Sequence, residues 1–259
     1  MLVTLAEVSG MASIQSDGYN TEFYELIDAG AIASARAIVP RVMEILAPTS
    51  VVDVGCGSGA WLRVFQEFGA DDVLGIDGAH VPDTYRTPGR FLERDLAQPL
   101  RLDRRFDLVS CLEVGEHLPG DRSAGLVEDL IALAPAALFS AAIPGQRGRH
   151  HINLQWTEHW VSQFESHGWT CWDAVRPWIR SDDTIDWWYR QNIFIAVASP
   201  PSEELTWFPR LDGSATQESV DYKRRVVTPA PTPTLKGAAR MALHAFRRQL
   251  RSSAARTTR

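Results

Sequence analysis

The sequence lacks the features that mark disulfide-bonded, membrane-spanning and secreted proteins. It has only three cysteines in 259 residues, Cys56, Cys111 and Cys171, and their wide separation argues against a disulfide framework or a zinc-binding set. No apolar run approaches the ~18 residues that a membrane span requires. Residues 1–11 have neither the basic start nor the long apolar stretch of a signal peptide. These absences predict a cytoplasmic protein.

Positive charge is also scarce over most of the chain. The formal net charge is −6, yet residues 223–259 carry ten Lys and Arg and no acid. The remaining 222 residues therefore carry 16 basic and 32 acidic side chains. An acidic body argues against nucleic acid as a partner, because phosphate contacts need clustered Lys and Arg.

The basic C-terminal tail has an amphipathic helical pattern from Leu235 to Leu250, with apolar residues on one face and mostly Arg and Lys on the other. Such a pattern is typical of a helix that lies on an anionic membrane surface. It equally fits a disordered extension or a helix that docks on the acidic body, and the sequence leaves these three alternatives open.

The strongest local pattern is Val51-Val52-Asp53-Val54 followed by a turn with Gly55, Gly57 and Gly59 and then a helical pattern from Ala60. A strand, a glycine turn and a helix N-terminus together form a cradle for a nucleotide-like ligand. The glycines alone also fit a dinucleotide-binding pattern, which is a weak signal. Asp53 within the strand would repel a pyrophosphate and attract a cationic ligand.

This D-x-G-x-G-x-G arrangement resembles motif I of the class I S-adenosylmethionine (SAM) methyltransferases. The resemblance implies SAM as cofactor, with Asp53, Gly55, Gly57 and Gly59 near its methionine part. It also implies a doubly wound α/β fold, a seven-stranded Rossmann-like sheet with helices on both faces. Further cofactor contacts follow downstream: Asp77 at the end of the second strand is placed for the ribose hydroxyls, and Asp95 and Leu96 would flank the adenine.

Hydrophobic periodicity and Pro or Gly punctuation divide the chain into three parts. Residues 1–48 are predicted to form an N-terminal segment with a cap helix, residues 49–200 the SAM-binding domain, and residues 201–259 a Pro-rich linker and the basic tail. The predicted strands cover 51–54, 73–77, 91–96, 106–112, 137–143, 169–175 and 193–198, and the predicted helices cover 20–48, 121–134 and 156–167.

Glu113, Glu116 and His117 follow the fourth strand at a spacing that a helical turn would bring to one side. Two carboxylates and an imidazole suit Mg²⁺ or Mn²⁺. The E-V-x-E-H pattern is similar to metal-dependent O-methyltransferases of the ubiquinone pathway and of small-RNA ribose 2′-O-methylation. The alternative is that this segment only lines the SAM pocket, as in metal-free members of the class.

A second polar segment follows the fifth strand, from Ile143 to Trp156. Its P-G-Q-x-G…H-I-N-x-Q-W arrangement resembles bacterial methyltransferases encoded among glycan and glycolipid biosynthesis genes. His151, not His150, holds the histidine position of that pattern. His151 is expected to act as a fourth metal ligand or as the general base that takes a hydroxyl proton.

Aromatic residues surround a charged insertion at about residues 177–190: Trp178, Trp187, Trp188 and Tyr189. Aromatic faces beside Asp and Arg suit a sugar or a phenol, so the insertion is predicted to form the acceptor site. Exposed aromatics also mark contacts between subunits, and a homo-oligomer remains the alternative.

The sequence therefore predicts a SAM-dependent O-methyltransferase that acts on a hydroxyl, most plausibly of a sugar, glycan or glycolipid precursor. Glu113, Glu116 and His151 are the predicted catalytic residues, and the same three with His117 are the predicted ligands of Mg²⁺ or Mn²⁺. One alternative is metal-free methylation of a phenol or amine with His151 as base. Another is a SAM-binding partner subunit without activity.

Overall fold

The computed structural model describes residues 21–87, 89–198 and 203–213. The predictions for the N-terminal residues 1–20 and for the basic tail from Lys223 onward, including the Leu235–Leu250 pattern, lie outside these residues. Within them, no helix combines the length and the hydropathy that crossing a bilayer demands.

The described chain alternates strands and helices. The strands are β1 (Ser50–Val54), β2 (Asp72–Asp77), β3 (Phe91–Glu93), β4 (Leu108–Leu112), β5 (Ala136–Ser140), β6 (Trp169–Trp172), β7 (Phe194–Ala198) and β8 (Arg210–Leu211). The α-helices are α1 (Thr21–Leu46), α2 (Ala60–Glu67), α3 (Ser123–Leu133), α4 (Thr157–Ser166), α5 (Arg176–Ile179) and α6 (Trp187–Asn192). Short 3₁₀ turns cover Asp83–Tyr85, Gly115–His117, Gly120–Arg122 and Glu204–Trp207.

In the described residues the strands form one mixed sheet in the order β3-β2-β1-β4-β5-β7-β6-β8. The first five in this order are parallel, and β7 is antiparallel to both β5 and β6. The chain reverses its crossover direction between β1 and β4. In such sheets ligands bind beyond the carboxyl ends of the strands, at this switch point.

Helices flank the sheet, and its two faces bury separate apolar clusters. Successive strand residues alternate between the clusters: Val51 and Leu108 belong to one, Val52 and Val109 to the other. This alternation follows from the two-residue period of a strand. Because β1, β4 and β5 are buried on both faces, their sequences are nearly continuous apolar runs.

The sheet departs from the prediction at its edge, with eight strands in the described residues rather than seven. Beyond the predicted boundary at residue 201, Leu205 is buried and β8 pairs with β6. Without β8, the backbone groups of β6 would be left as an open edge. Strands β3, β5 and β6 are also shorter than predicted and end at Glu93, Ser140 and Trp172.

Candidate functional site

The loop after β1 forms the centre of the candidate site. Gly55, Gly57 and Gly59 have φ angles of 81°, 52° and 75°, a backbone region that L side chains rarely adopt. Gly59 precedes the first residue of α2, so the N-terminus of that helix opens on the loop. The sequence predicted this strand, glycine turn and helix, and the three glycines are required by backbone geometry.

Asp53 lies in β1 just below this loop and is buried. Its Oδ1 accepts a hydrogen bond of 2.6 Å from the Ser110 hydroxyl of β4. Burial raises the pKa of Asp53 to about 7, with a smaller contribution from the nearby Asp77. Ionisation of Asp53 inside the protein therefore costs stability, and a cationic ligand would offset that cost.

We expect Asp53→Asn to stabilise the ligand-free fold near neutral pH. Because the pKa of Asp53 is higher in the folded than in the unfolded protein, protonated Asp53 favours folding. This contribution to the free energy of unfolding is complete below the ordinary Asp range and is lost as the pH rises to about 7. The variant's advantage should grow over that window to a few kcal/mol, since one pKa unit corresponds to about 1.4 kcal/mol. Urea unfolding at several pH values measures it.

Asp107→Asn is the matched control, and its expected effect on stability is opposite to that of Asp53→Asn. Asp107 accepts hydrogen bonds from Thr49 and Ser50, which lower its pKa, so this substitution should destabilise the protein above the ordinary Asp range. If the stability gained by Asp53→Asn did not change with pH, the raised pKa of Asp53 would be contradicted.

Asp77 closes the other side of the glycine loop at the end of β2. Its two carboxylate oxygens accept hydrogen bonds of 2.7 Å from the backbone N–H groups of Gly57 and Gly78. His80 Nε2 lies 3.3 Å from its Oδ1. Burial raises the pKa of Asp77, and the two N–H donors oppose that increase. The carboxylate thus sets the shape of the loop and stands at the strand end where the sequence placed it.

Asp95 and Leu96 follow β3 in a turn rather than within the strand. Asp95 is exposed, and its Oδ1 accepts a hydrogen bond of 2.9 Å from the backbone N–H of Ala97. Leu96 is partly buried and packs against one of the two apolar clusters. Both residues remain near the carboxyl end of β3, where an adenine contact was predicted.

The segment after β4 does not form the continuous helical turn that was predicted from Glu113 to His117. Glu113 has a φ of 56°, and the 3₁₀ turn begins only at Gly115. Glu113 therefore points to Gln146 and Asn192, whose side-chain amides donate to its carboxylate at 2.7 and 3.3 Å. Glu116 and His117 lie within the turn.

Glu116, His117 and His151 form a three-residue cluster, hereafter the Glu-His cluster. One potential ligand atom from each residue lies within 4.8 Å of the other two. His151 Nε2 is 4.0 Å from Glu116 Oε1, and the two imidazole rings are 4.9 Å apart. The structure thus brings three of the four predicted metal ligands within this distance of one another, whereas Glu113 lies beside Glu116 without belonging to this set.

The loop that carries His151 is tied to the Glu116 turn by its backbone. The N–H groups of Ile152 and Asn153 both donate to the carbonyl oxygen of Glu116, at 2.8 and 3.0 Å. The buried Asn153 side chain donates to the carbonyl of Gly115 at 3.2 Å. A Cβ on Gly148 would lie 2.0 Å from His151 Nε2, so a glycine is needed there for the imidazole to reach the cluster.

The Glu-His cluster is electrostatically incomplete. Glu116 has no exposed surface, and neither of its carboxylate oxygens meets hydrogen-bond geometry with any donor in the described chain. Burial raises its pKa, and the neighbouring Glu113 raises it further. Burial also lowers the pKa of His117 to about 4 and lowers that of His151. Both imidazoles are therefore neutral at physiological pH and offer lone pairs to a ligand.

His151 has a preferred tautomer. Its Nδ1 lies 3.2 Å from the carbonyl oxygen of Gln146, which can only accept a hydrogen bond, so Nδ1 carries the proton. Nε2 then has its lone pair directed towards the Glu116 side. His150 next to it has a φ of 58° and does not belong to the cluster.

Helix α1 covers the site and contacts both of its halves. Asp28 accepts a hydrogen bond from the Ser58 hydroxyl of the glycine loop and two from Arg63, at 2.7 and 2.8 Å. Further along, Ser34 Oγ accepts a 3.0 Å hydrogen bond from the backbone N–H of Asp186. A helix is present at Thr21–Leu46, within the segment where the sequence predicted one, and these contacts hold it against the glycine loop and the insertion.

A family model described as a methyltransferase domain matches residues 27–192. The match spans helix α1 from Ile27, the glycine loop, the Glu-His cluster and the insertion between β6 and β7. It covers well over half of the chain. The chain belongs to this methyltransferase domain family. No curated protein sequence matches it.

Several solved methyltransferase structures are similar to this methyltransferase. Magnesium protoporphyrin IX methyltransferase from Synechocystis PCC 6803, solved with bound SAH, is 19% identical over 74% of this chain and 95% of that one, with a TM-score of 0.44. An O-methyltransferase family protein from Burkholderia thailandensis is 13% identical over 62% and 54%, with a TM-score of 0.47. DesVI from Streptomyces venezuelae is 16% identical over 77% and 100%, with a TM-score of 0.44.

The residues of this methyltransferase fit SAM and a divalent cation, the two groups that its sequence implies. The family assignment supports SAM as the methyl donor, and the side-chain-free glycine loop beside two buried carboxylates, Asp53 and Asp77, suits a cationic nucleoside. Among the described residues, neither the Glu116 oxygens nor Nδ1 of His117 meet hydrogen-bond geometry with a partner, and these atoms suit a divalent cation.

The methyltransferase site also uses residues that sequence reasoning missed. Asn192 is almost completely buried and joins Glu113 and Gln146 into one hydrogen-bonded group. Asp28 and Ser34 hold the cap helix on the site. No periodicity or motif singles out these three positions, because each acts through partners that lie at least 30 residues away in the sequence.

Proposed function

We propose that the protein is a SAM-dependent O-methyltransferase that methylates a sugar hydroxyl with the help of a divalent cation. The single observation that carries the proposal is the Glu-His cluster, with its unpartnered carboxylate and neutral imidazoles, at the carboxyl edge of the sheet beside the glycine loop. A site that only bound SAM would gain nothing from this arrangement, since a buried carboxylate without a partner costs stability.

In this proposal Glu116, His117 and His151 hold the cation. Two ligand atoms about 2.1 Å from one ion are at most about 4.2 Å apart, so the cluster needs only small side-chain adjustments. The bound cation would supply Lewis acidity, which lowers the pKa of an acceptor hydroxyl and fixes its orientation.

The remaining chemistry falls to positioning by the chain's own residues. Asp77 and the glycine loop would hold the donor nucleoside, with the methyl group directed to the carboxyl end of β4. Glu113, held in place by hydrogen bonds from Gln146 and Asn192, would lie between that donor and the acceptor insertion. Methyl transfer from a sulfonium requires in-line approach of the hydroxyl oxygen, which such positioning favours.

A second candidate is metal-free methylation of a phenol or amine, with His151 as base. It is supported by the tautomer of His151, whose Nε2 lone pair is free to accept a proton, and by its lowered pKa. Burial that favours the neutral imidazole keeps this base competent at neutral pH.

Chelation distinguishes the two candidates. With purified protein, SAM and a panel of sugar and phenol acceptors, we expect methyl transfer to a sugar hydroxyl that EDTA abolishes and that Mg²⁺ or Mn²⁺ restores. Full turnover in EDTA would reject the role of the cation and leave the His151 base mechanism. SAM binding without transfer to any acceptor would favour a partner subunit without activity.

A further inference from the structure

The insertion between β6 and β7 forms a cleft at the same edge of the sheet as the Glu-His cluster. Trp172 at the end of β6 pairs with Ile195 of β7, and the neighbouring Phe194 pairs with Phe139 of β5. Helices α5 and α6, which lie between these strands in sequence, are therefore held at the carboxyl ends of the parallel strands. Asn192 at the end of α6 reaches Glu113.

The cleft has a volume of about 430 Å³, within the range of small-molecule sites. All of its lining side chains bear N–H donors, and no acid is among them. They are Arg176, Arg180, Trp187, Arg190 and Gln191.

Several of these donors have no partner. Arg190 Nε and the indole Nε1 of Trp187 are buried and lack any hydrogen bond within the part of the chain that the structure describes. Arg180 is exposed, and within residues 21–87, 89–198 and 203–213 no acid lies within ion-pair distance of it. The cleft is therefore lined by positively charged and N–H-bearing side chains with no acid among them, which favours a ligand that accepts hydrogen bonds.

Acids of the insertion pair with two of the arginines. Asp173 accepts a 2.8 Å hydrogen bond from Arg176 Nε, and Asp183 accepts one of 2.8 Å from Arg190 Nη1. Asp183 is largely exposed, so water weakens its pairing. Asp186 also lies near Arg190 and bonds to Ser34 on α1.

We propose that this cleft binds a phosphoryl or diphosphoryl group of the acceptor. The proposal rests on the proposed function, and it narrows the acceptor to a phosphorylated sugar. Guanidinium groups match the paired oxygens of phosphate with two parallel hydrogen bonds. Three guanidinium groups line this one cleft. Arg176 and Arg190 each already donate to an Asp carboxylate and to a backbone carbonyl, and Arg180 adds a third positive charge.

The location of the cleft gives this anion site its role in the reaction. Helix α6 presents Trp187, Arg190 and Gln191 to the cleft and Asn192 to Glu113. A sugar that carries its phosphate in the cleft would extend along α6 towards the Glu-His cluster. The cleft would thereby contribute to the orientation of the hydroxyl as well as to affinity.

Calorimetry with inorganic pyrophosphate, glucose 1-phosphate and glucose tests the proposal on the full-length protein. We expect saturable binding of the two phosphates, weakened by salt, and none of glucose. Arg180→Gln and Arg190→Gln should each weaken pyrophosphate binding by about tenfold, the usual loss for one charge-assisted hydrogen bond. Arg36→Gln, which removes an exposed ion pair with Glu67 on another face, should change nothing.

The outcomes separate this proposal from the proposed function. Absence of saturable pyrophosphate binding, or binding that survives both substitutions, overturns the anion site even if sugars are methylated. Phosphate binding that depends on Arg180 without any methyl transfer overturns the proposed function and leaves the anion site. Because Arg180 is exposed and has no ion pair among the described residues, its variant tests the site even if Arg190→Gln disturbs folding.

A last arm identifies the source of the phosphate. Co-sedimentation of the unmodified protein and of Arg180→Gln with vesicles containing phosphatidate tests whether the bound phosphate belongs to a lipid. Sedimentation lost in Arg180→Gln supports a lipid-linked acceptor, whereas calorimetric binding without sedimentation supports a soluble one. Sedimentation that persists in the variant, with no calorimetric binding, counts against the cleft.

Discussion

Glu116→Gln is expected to reduce methyl transfer by about 100-fold or more, because it removes the only carboxylate of the Glu-His cluster. The substitution keeps the size of the side chain. Affinity for SAM should change little, since Glu116 lies at the acceptor side and not in the glycine loop. Single-turnover kinetics and calorimetry with SAM measure the two effects separately.

Thermal stability provides a second readout of the same variant. In the metal-free protein, Glu116→Gln should raise the unfolding temperature, because a neutral amide replaces a buried carboxyl whose ionised form burial disfavours. Mn²⁺ should stabilise the unmodified protein and have no such effect on the variant. His150→Asn is the matched control, as His150 lies beside the cluster but outside it.

These results would separate the candidate mechanisms. Retention of full activity in Glu116→Gln, with unchanged stabilisation by Mn²⁺, would show that the cluster holds no cation. A loss of activity without any effect of Mn²⁺ on either protein would favour metal-free catalysis through His151.

Asp77→Ala is expected to weaken the binding of SAM and of its demethylated product by about 100-fold. The carboxylate should accept hydrogen bonds from both ribose hydroxyls, and each bond to a charged group contributes about 1.5–3 kcal/mol. The substitution also removes the acceptor for the backbone N–H of Gly57, so the loop loses part of its preorganisation. Both effects act in the same direction, and calorimetry measures their sum.

Asp72→Ala supplies the control for this second prediction. Asp72 lies at the opposite end of the same strand and pairs with Arg104 on the surface, far from the glycine loop. It should leave cofactor affinity unchanged. Equal affinity in Asp77→Ala and the unmodified protein would show that Asp77 neither contacts the cofactor nor preorganises the loop for it.

The sequence predicted those parts of the site that are formed by contiguous residues or that follow from the general geometry of parallel sheets. The glycine loop is one uninterrupted strand–turn–helix pattern. Glu116 and His151 were expected to meet because the strands before them both end at the carboxyl edge. Adjacent pairing of β4 with β5 places them there.

The parts that the sequence did not predict depend on local backbone choices and on distant partners. Glu is not a residue that favours positive φ, so the turn at Glu113 that removes it from the cluster was not visible. The side-chain amides of Asn192 and Gln146 stabilise this conformation by hydrogen bonds, and they lie 79 and 33 residues further along the chain. β8 was missed because it has only two residues, directly after Pro209, and so short a strand shows no two-residue period.

Helix α1 has a consequence for how the enzyme opens and closes. Asp28 and Ser34 are six residues apart, or about 9 Å along a helix, and they bind the glycine loop and the insertion respectively. One rigid element thus joins the donor side to the acceptor side. In the proposed function, a movement of this helix away from one side would also break its contact with the other, so that release of the two products would be coupled.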